Sequence, residues 1–284
     1  MCKIVRRPRT DSSARALEAR VARWLAANAR RESAKAIARL RSGTIRIRKV
    51  DDDALSDKEL IDILVRFGLR QIGDTGKRTA GRYGGEWIVS PALVEDVIAS
   101  KEILVQRLRR DLRDTVRESI RQIMTQANRE EPAPSSGEIA RRIRTQFHGG
   151  LGGYHGALDD ATEQGILPTQ TERLRRQRTP ALYAFSPERA ALIARTESLQ
   201  NEATGIYEGM ALSGVDEIEW ISSNNSNHGS RHHERMNGKR TKLGGYFATP
   251  LGNRLRYPGD PSAPIEDTAN CGCMFAPVYR SKRK

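Results

Sequence analysis

A long apolar stripe between residues 90 and 128 constrains the fold of this chain more than any other sequence feature. Aliphatic side chains recur at helical spacing along an otherwise polar segment: Val94, Val97, Ile98, Leu104, Leu108, Leu112, Val116, Ile120 and Ile123. Ser90 and Pro91 precede the stripe as an N-cap and a first helical residue. A narrow stripe on a long polar helix is typical of helix bundles and coiled coils. We therefore expect a long helix, ending near Asn128, that packs against other helices.

Cap signals predict further helices along the chain. They are expected over residues 11–40, from the capping box at Ser56–Glu59 towards Gly73, from Ser135, and from Ser186-Pro187 to Gly214. The glycine-rich stretch 73–85 is interpreted as a loop or hairpin. Short strands are expected at 217–222, in KLGGYF and in RLRY. The predicted fold class is α+β: a predominantly helical N-terminal half with a long helix, followed by a small α+β C-terminal module.

The same signals divide the chain into three regions. Residues 1–50 are a basic helical arm, residues 51–185 are a helical domain, and residues 186–280 are the C-terminal module. Five glycines within residues 147–156 indicate a hinge inside the helical domain.

The positive charge is concentrated at the start of the chain. The net charge is +14, and residues 1–50 alone hold 15 lysines and arginines against three acidic residues. Such an arm predicts contact with a polyanion, here double-stranded DNA without sequence preference, or with an acidic protein surface. A solvated arginine-rich helix is the alternative. The candidate DNA contacts are Arg20, Arg23, Arg30, Arg31, Lys35, Arg46, Arg48 and Lys49.

Several classes of protein do not fit the composition. The chain has three cysteines, too few for a disulfide framework, and no apolar run approaches the 18 residues of a membrane span. Its first ten residues do not resemble a secretory signal. We therefore expect a soluble protein that is made in a cytoplasm and has no membrane partner.

The segment YPGDPSAPIEDTANCGC, residues 257–273, is stiffened by three prolines and ends in a Cys-x-Cys pair. Cys271 and Cys273 would complete a four-ligand zinc site together with His233 and either His232 or Asp260. The spacing is tighter than the usual Cys-x2-Cys, and redox chemistry also normally uses Cys-x2-Cys. The favoured interpretation is packing, with two reduced cysteines buried against the strand of Trp220 and no cofactor bound.

Six short motifs in a fixed order resemble the phage Mu F-like minor head protein family, also called head morphogenesis proteins. They are ARTE with Arg195 and Glu197, a strand with Trp220, His-x-x-Met-Asn-Gly from His233 to Asn237 and Gly238, Phe247 with Pro250 and Gly252, YPGDP with Gly259 and Asp260, and Asn-Cys-x-Cys from Asn270 to Cys273. The resemblance covers roughly residues 186–279. For Arg195 and Glu197, structural ion pairs are favoured over catalysis.

The resemblance implies a low-copy virion component, inside the head or at the portal vertex, that passes through the host cytoplasm during assembly. Implied partners are the portal protein, a scaffold or the major capsid protein, and the implied roles are head assembly, DNA packaging or DNA delivery. No enzymatic activity is expected. The alternatives are a metal-dependent nuclease, suggested by HHERMNG, and an ADP-ribosyltransferase, suggested by the Glu-x-Glu of residues 217–219.

Overall fold

The computed structural model describes residues 12–40, 56–148, 187–223 and 231–278, except Asn128 and Ala133. Its helices are α1 (Ser12–Leu40), α2 (Asp57–Arg82), α3 (Pro91–Ala127), α4 (Ser136–His148), α5 (Pro187–Leu212) and α6 (Ile265–Thr268), with a 3₁₀ helix at His233–Met236. Its strands are β1 (Glu217–Ile221), β2 (Arg240–Lys242), β3 (Phe247–Ala248), β4 (Arg254–Leu255) and β5 (Met274–Pro277). This arrangement confirms the α+β class with a predominantly helical N-terminal half.

The predicted N-caps are present where their side chains are described. Ser56 Oγ accepts the Glu59 N–H at 3.2 Å, and the Glu59 carboxylate accepts the Ser56 N–H at 2.6 Å, which completes a capping box. Ser90 Oγ accepts the Leu93 N–H at the start of α3, and Ser135 Oγ accepts the Glu138 N–H at the start of α4. Helices α2, α3 and α4 therefore begin where their local sequence predicts.

Contacts group the chain into two compact units. A helical unit contains Ala16–Leu60 and Ile103–Ala191, and a mixed unit contains Met1–Arg15, Ile61–Glu102 and Leu192–Lys284. The predicted division into 1–50, 51–185 and 186–280 uses segments that are continuous in sequence, whereas each of these units combines separate segments. The predicted division stays a prediction. The hinge from residue 149 onward, the boundary at 180–186 and residues 1–11 and 41–55 of the chain lie outside the described residues.

The core of the helical unit contains the apolar stripes of α1 and α3. On α1, Leu17, Val21, Trp24 and Leu25 are buried, as the spacing predicts. The Trp24 indole donates a hydrogen bond to Asp57 Oδ1 at 3.3 Å. Val116 of α3 packs with Ala140 and Ile143 of α4. Because α1 supplies buried aromatic and aliphatic side chains, its helix is part of this core.

The mixed unit corrects the prediction of a loop at residues 73–85. Helix α2 continues to Arg82, and the chain then turns through Gly84 at φ +81°. Gly76 of this stretch is a packing position, because a Cβ on it would lie 2.1 Å from the Trp87 ring. On α5, a Cβ on Gly205 would lie 2.7 Å from the Ile72 carbonyl oxygen of α2. Absence of side chains thus lets α2 and α5 cross with their backbones nearly in contact.

One residue of the α3 stripe departs from the prediction. Val97 is buried beside Ile72 and Leu93, but Ile98 is 38% exposed. Adjacent helical positions lie about 100° apart, so a narrow stripe buries one of two neighbours and leaves the other at its edge.

The strands of the mixed unit form two small antiparallel sheets. The first has the order β2-β1-β5, with Trp220 of β1 opposite Phe275 of β5. The second pairs β3 with β4. Alternate residues of β1 are buried, so Ile218 and Trp220 face the core while Glu217 and Glu219 do not. The core between α5 and the sheets contains Tyr207, Met210, Ile218, Trp220, Met236, Phe247, Leu255, Tyr257, Cys271, Cys273 and Phe275.

Candidate functional site

His233 lies fully buried at the first residue of the 3₁₀ helix. The preceding residue, His232, adopts a left-handed conformation at φ +53°, which sharply redirects the chain. Ser222 donates a side-chain hydrogen bond to the His233 carbonyl oxygen. The imidazole meets the Trp220 ring edge to face, with the ring centres 5.3 Å apart. These contacts hold the imidazole in one position in the core.

Both cysteines of the Cys-x-Cys pair approach the same nitrogen of this imidazole. Cys271 Sγ lies 3.6 Å and Cys273 Sγ lies 3.9 Å from His233 Nδ1. The two thiols are buried. Asn270, immediately before Cys271, adopts a left-handed conformation at φ +51°. The backbone N–H of Asn270 donates to Thr196 Oγ1 of the ARTE motif at 3.0 Å. The turn at Asn270 therefore brings the end of the chain onto α5 and His233 together.

Asp267 contacts the opposite nitrogen of the imidazole. Its Oδ1 lies 2.8 Å from His233 Nε2, and its Oδ2 accepts hydrogen bonds from Thr249 Oγ1 at 3.0 Å and Asn253 Nδ2 at 2.7 Å. Asp267 is completely buried. None of these three residues carries a sequence signal that predicts a place in the site. Asp267 looks like an ordinary acidic residue in the first turn of a short helix, so only its proximity to the Cys-x-Cys pair was a signal.

The cluster shifts the pKa values of its members. The side-chain hydrogen bond with Cys271, together with the contact with His233, lowers the pKa of Cys273 to about 4 against the opposing effect of burial. The same bond and burial raise the pKa of Cys271. Burial favours neutral His233, but Cys273 and Asp267 outweigh it and raise the pKa of the imidazole. The cluster therefore favours a thiolate next to a hydrogen-bonded imidazole.

The arrangement has two chemical capacities. Two sulfurs and one imidazole nitrogen are ligands that zinc prefers. A thiolate beside a histidine that is oriented by a carboxylate is also the pattern of a cysteine nucleophile. Cys271 and Cys273 are only 6% and 8% exposed, and His233 and Asp267 are completely buried. A substrate has no access to such a cluster, so the geometry favours an ion held inside the core over covalent catalysis.

The other two ligands considered from the sequence do not join the cluster. Asp260 lies in the YPGDP turn, where Arg256 contacts both of its carboxylate oxygens at 3.0 Å and Gly259 adopts φ +81°. The side chain of His232 is about half exposed, and its Nδ1 lies 3.2 Å from Glu234 Oε1. Among the described residues, the group with metal-ligand spacing is His233, Cys271 and Cys273.

Glu197 of the ARTE motif belongs to a separate buried contact. Its Oε2 lies 2.5 Å from Lys101 Nζ of α3, and Lys101 also donates to Asn201 Oδ1 at 3.2 Å. Both charged side chains are about 95% buried or more. Arg195 is exposed and does not take part. The structural ion pair expected for Glu197 is therefore present, and no described contact brings Arg195 to the cluster.

Asn237 and Gly238 close the connection between β1 and β2. Asn237 Oδ1 accepts the Ser222 N–H at 3.0 Å, and Gly238, at φ +77°, donates its N–H to the Trp220 carbonyl oxygen. Positive φ is the conformation for which glycine is favoured. These motif residues therefore shape the hairpin that carries Trp220.

The candidate DNA contacts are only partly described. Arg20, Arg23 and Arg30 are exposed on α1, and Arg31 is half-buried. The Lys35 side chain and residues Arg46, Arg48 and Lys49 lie outside the described part of the chain.

The glutamates of the Glu-x-Glu pair lie on the half-exposed face of β1, where Glu219 accepts a hydrogen bond from Arg240 at 2.7 Å.

Comparison with family models, curated proteins and solved structures finds no match to this chain. Within the described residues, no helix combines the length and apolar character that a membrane crossing requires.

Proposed function

We propose that this chain is a phage minor head protein of the Mu F-like kind, a low-copy virion component in the head or at the portal vertex. It acts in capsid assembly, DNA packaging or DNA delivery, in contact with the portal protein, a scaffold or the major capsid protein. The observation that carries the proposal is the meeting of its dispersed motif segments in the core of the mixed unit.

Specific contacts join the motifs to one another and to α5, the helix that contains ARTE. Thr196 of ARTE accepts the backbone N–H of Asn270, and the Trp220 carbonyl oxygen accepts the N–H of Gly238. Tyr257 of YPGDP packs on Tyr207 with ring centres 4.5 Å apart, and its hydroxyl lies 3.0 Å from Thr204 Oγ1. Motifs that pack together in this way belong to one folded module. This supports the family resemblance.

The burial of the motif residues favours a structural role over the two enzymatic alternatives. His233 of HHERMNG is inaccessible, and Glu219 of the Glu-x-Glu pair forms a surface ion pair with Arg240. A nuclease or a transferase needs its reacting groups at a surface that a substrate can reach. This burial supports the proposal of a structural role without enzymatic activity.

The exposed arginines of α1 support a non-specific contact with DNA. Packaged DNA presents a dense array of phosphates, and arginine binds phosphate without reading the base sequence. Three of the candidate contacts are exposed arginines of α1: Arg20, Arg23 and Arg30. Because the same helix contributes Trp24 and Leu25 to the core, a deletion of the arm would disturb folding along with charge. Substitution is the better test.

The DNA contact is tested by fluorescence anisotropy on a duplex of random sequence across a salt series. One triple variant replaces three exposed arginines of α1 by glutamine: Arg20, Arg23 and Arg30. Each lost phosphate contact lowers the log–log salt slope by about 0.9, so a loss of up to about 2.7 is expected. A matched control removes the same charge from exposed positions of α3: Arg110, Arg113 and Arg117.

The DNA role predicts a much smaller slope for the α1 variant than for the α3 control. Equal slopes in the two variants, or no binding by the unmodified chain at low salt, would contradict it. The assembly role is tested separately by a nonsense mutation in the phage that encodes the chain. Electron microscopy should then reveal defective or empty heads, and the titre of infectious particles should fall. A normal titre would refute the role.

A further inference from the structure

The distances within the His233 cluster match those between the ligands of a zinc ion. In a tetrahedral site with Zn–S bonds of about 2.3 Å and Zn–N bonds of about 2.0–2.1 Å, sulfur and nitrogen lie about 3.6 Å apart. Cys271 Sγ and Cys273 Sγ lie 3.6 and 3.9 Å from His233 Nδ1, and all three atoms fall within 4.8 Å of one another. A neutral imidazole offers one lone pair at this nitrogen. A shared cation therefore explains why two sulfurs converge there.

Asp267 orients the imidazole so that Nδ1 faces the two sulfurs. Its Oδ1 accepts the Nε2–H of His233, which leaves the lone pair of Nδ1 directed at the two sulfurs. Thr249 and Asn253 each donate a hydrogen bond to the second oxygen of the same carboxylate and so fix its position. A metal-ligating histidine commonly has its other nitrogen bound to a carboxylate in this way.

The buried carboxylate of Asp267 also fits a cation at this site. It is completely buried, and a neutral His233 gives it a hydrogen bond without a compensating charge. Thr249 and Asn253 are neutral. An ionised carboxylate is costly to bury without positive charge nearby. A divalent ion on Nδ1 would supply that charge and would strengthen the Nε2–H as a donor.

We propose that His233 Nδ1, Cys271 Sγ and Cys273 Sγ bind one Zn²⁺ ion inside the mixed unit. Thiolate ligands exclude magnesium and calcium, which prefer oxygen, and a mixed nitrogen–sulfur set suits zinc. The described chain supplies three ligands, and a further ligand or water completes the tetrahedron. Because the ligands are buried, the ion is a structural clamp that joins the 3₁₀ helix to the segment preceding β5. This inference does not depend on the role in the phage head.

The first test measures metal in the unmodified full chain, purified under reducing conditions without chelator. Plasma mass spectrometry should find about one zinc per chain. The metal-free protein, titrated with Co²⁺, should develop the sulfur-to-cobalt charge-transfer absorption and the intense visible bands of a tetrahedral thiolate site. Added Zn²⁺ should raise the melting temperature with increasing ion concentration, because it binds the folded state.

Matched variants locate the site. Cys273→Ser should abolish the cobalt charge-transfer band or shift its intensity to that of one thiolate, whereas Cys2→Ser and His232→Gln should retain a full complement of zinc. Asp267→Asn keeps all three ligands and should weaken zinc binding about 10–100-fold. The measurements on the unmodified chain need no variant to fold, so they decide the proposal even if a core substitution unfolds the protein.

Substoichiometric zinc together with no cobalt charge-transfer band in the folded, unmodified chain would overturn the site. Stoichiometric copper or iron in place of zinc would overturn the assignment of the ion. Full zinc content in Cys273→Ser would place the ion elsewhere. A Cys271–Cys273 disulfide in the reduced preparation, detected by counting thiols after denaturation, would also overturn the proposal.

Discussion

Replacing Glu197 by glutamine should destabilise the mixed unit by several kcal/mol. The Lys101 ammonium lies 2.5 Å from Glu197 Oε2, and the lysine and glutamate side chains are only 3% and 5% exposed. Glutamine preserves the volume of the side chain, so the cost is electrostatic and little of it comes from a cavity. The buried lysine would retain Asn201 Oδ1, at 3.2 Å, as its neutral acceptor. Removing one partner of a buried ion pair typically costs about 3–5 kcal/mol.

A loss of about 4 kcal/mol corresponds to roughly a thousand-fold change in the unfolding equilibrium. Urea unfolding followed by circular dichroism would measure it. Lys101→Met should also be destabilising, but the double variant should cost much less than the sum of the two single variants, because it leaves no unpaired buried charge. Glu118→Gln is the matched control, since Glu118 pairs with Arg121 at an exposed position, where loss of the pair costs about 1 kcal/mol or less.

If Glu197→Gln cost no more than Glu118→Gln, the buried pair would not contribute more than an exposed one. Additive costs in the double variant would also contradict the prediction, because they would indicate that Lys101 and Glu197 do not stabilise each other.

Two further predictions concern the mixed unit. Gly209→Ala should destabilise the protein by about 1–3 kcal/mol, because its Cβ would lie 2.7 Å from a side-chain carbon of α2, whereas Gly73→Ala, with open space around its Cβ, should be neutral or stabilising by up to about 1 kcal/mol; thermal melts in which both alanines stabilise would exclude the close helix crossing. For Asp260, burial opposes ionisation, but hydrogen bonds from Arg256 outweigh it and lower the pKa below 3.8, so ionisation stabilises the fold above that value. Asp260→Asn should therefore lose stability at neutral pH, with a difference from wild type that shrinks as the pH falls from 3.8 through the folded pKa; a difference independent of pH would contradict the ion pair.

The starts of the helices were predictable because their signals are local. Ser56 and Glu59 cap each other within four residues, and Ser90 caps its own helix. The end of α2 was mispredicted for the opposite reason. Gly76 is a helical position because Trp87 occupies the space of its missing side chain, and the crossing partner Gly209 is distant in sequence. A glycine that permits contact and a glycine that breaks a helix look alike in one sequence.

The candidate site was predictable in its residues and unpredictable in its geometry. His233, Cys271 and Cys273 were named from motif chemistry, and the structure brings them together. Asp260 was a candidate ligand because it carries a carboxylate in the same segment. Its carboxylate instead accepts hydrogen bonds from Ser262, two residues later, and from Arg256, and these bonds hold it in its own turn. Asp267 was missed because its orientation is set by Thr249 and by burial, neither of which has a local signal.

The claim that this chain is a low-copy component of a phage particle is tested most directly by quantitative mass spectrometry of purified particles. Peptides of the chain and of the portal protein, each measured against labelled standards, give the number of copies per particle. A minor head protein should be retained through density-gradient purification at a copy number near that of the portal protein and far below that of the major capsid protein. Its absence from both proheads and mature particles, with the protein found only in the lysate, would rule out this role.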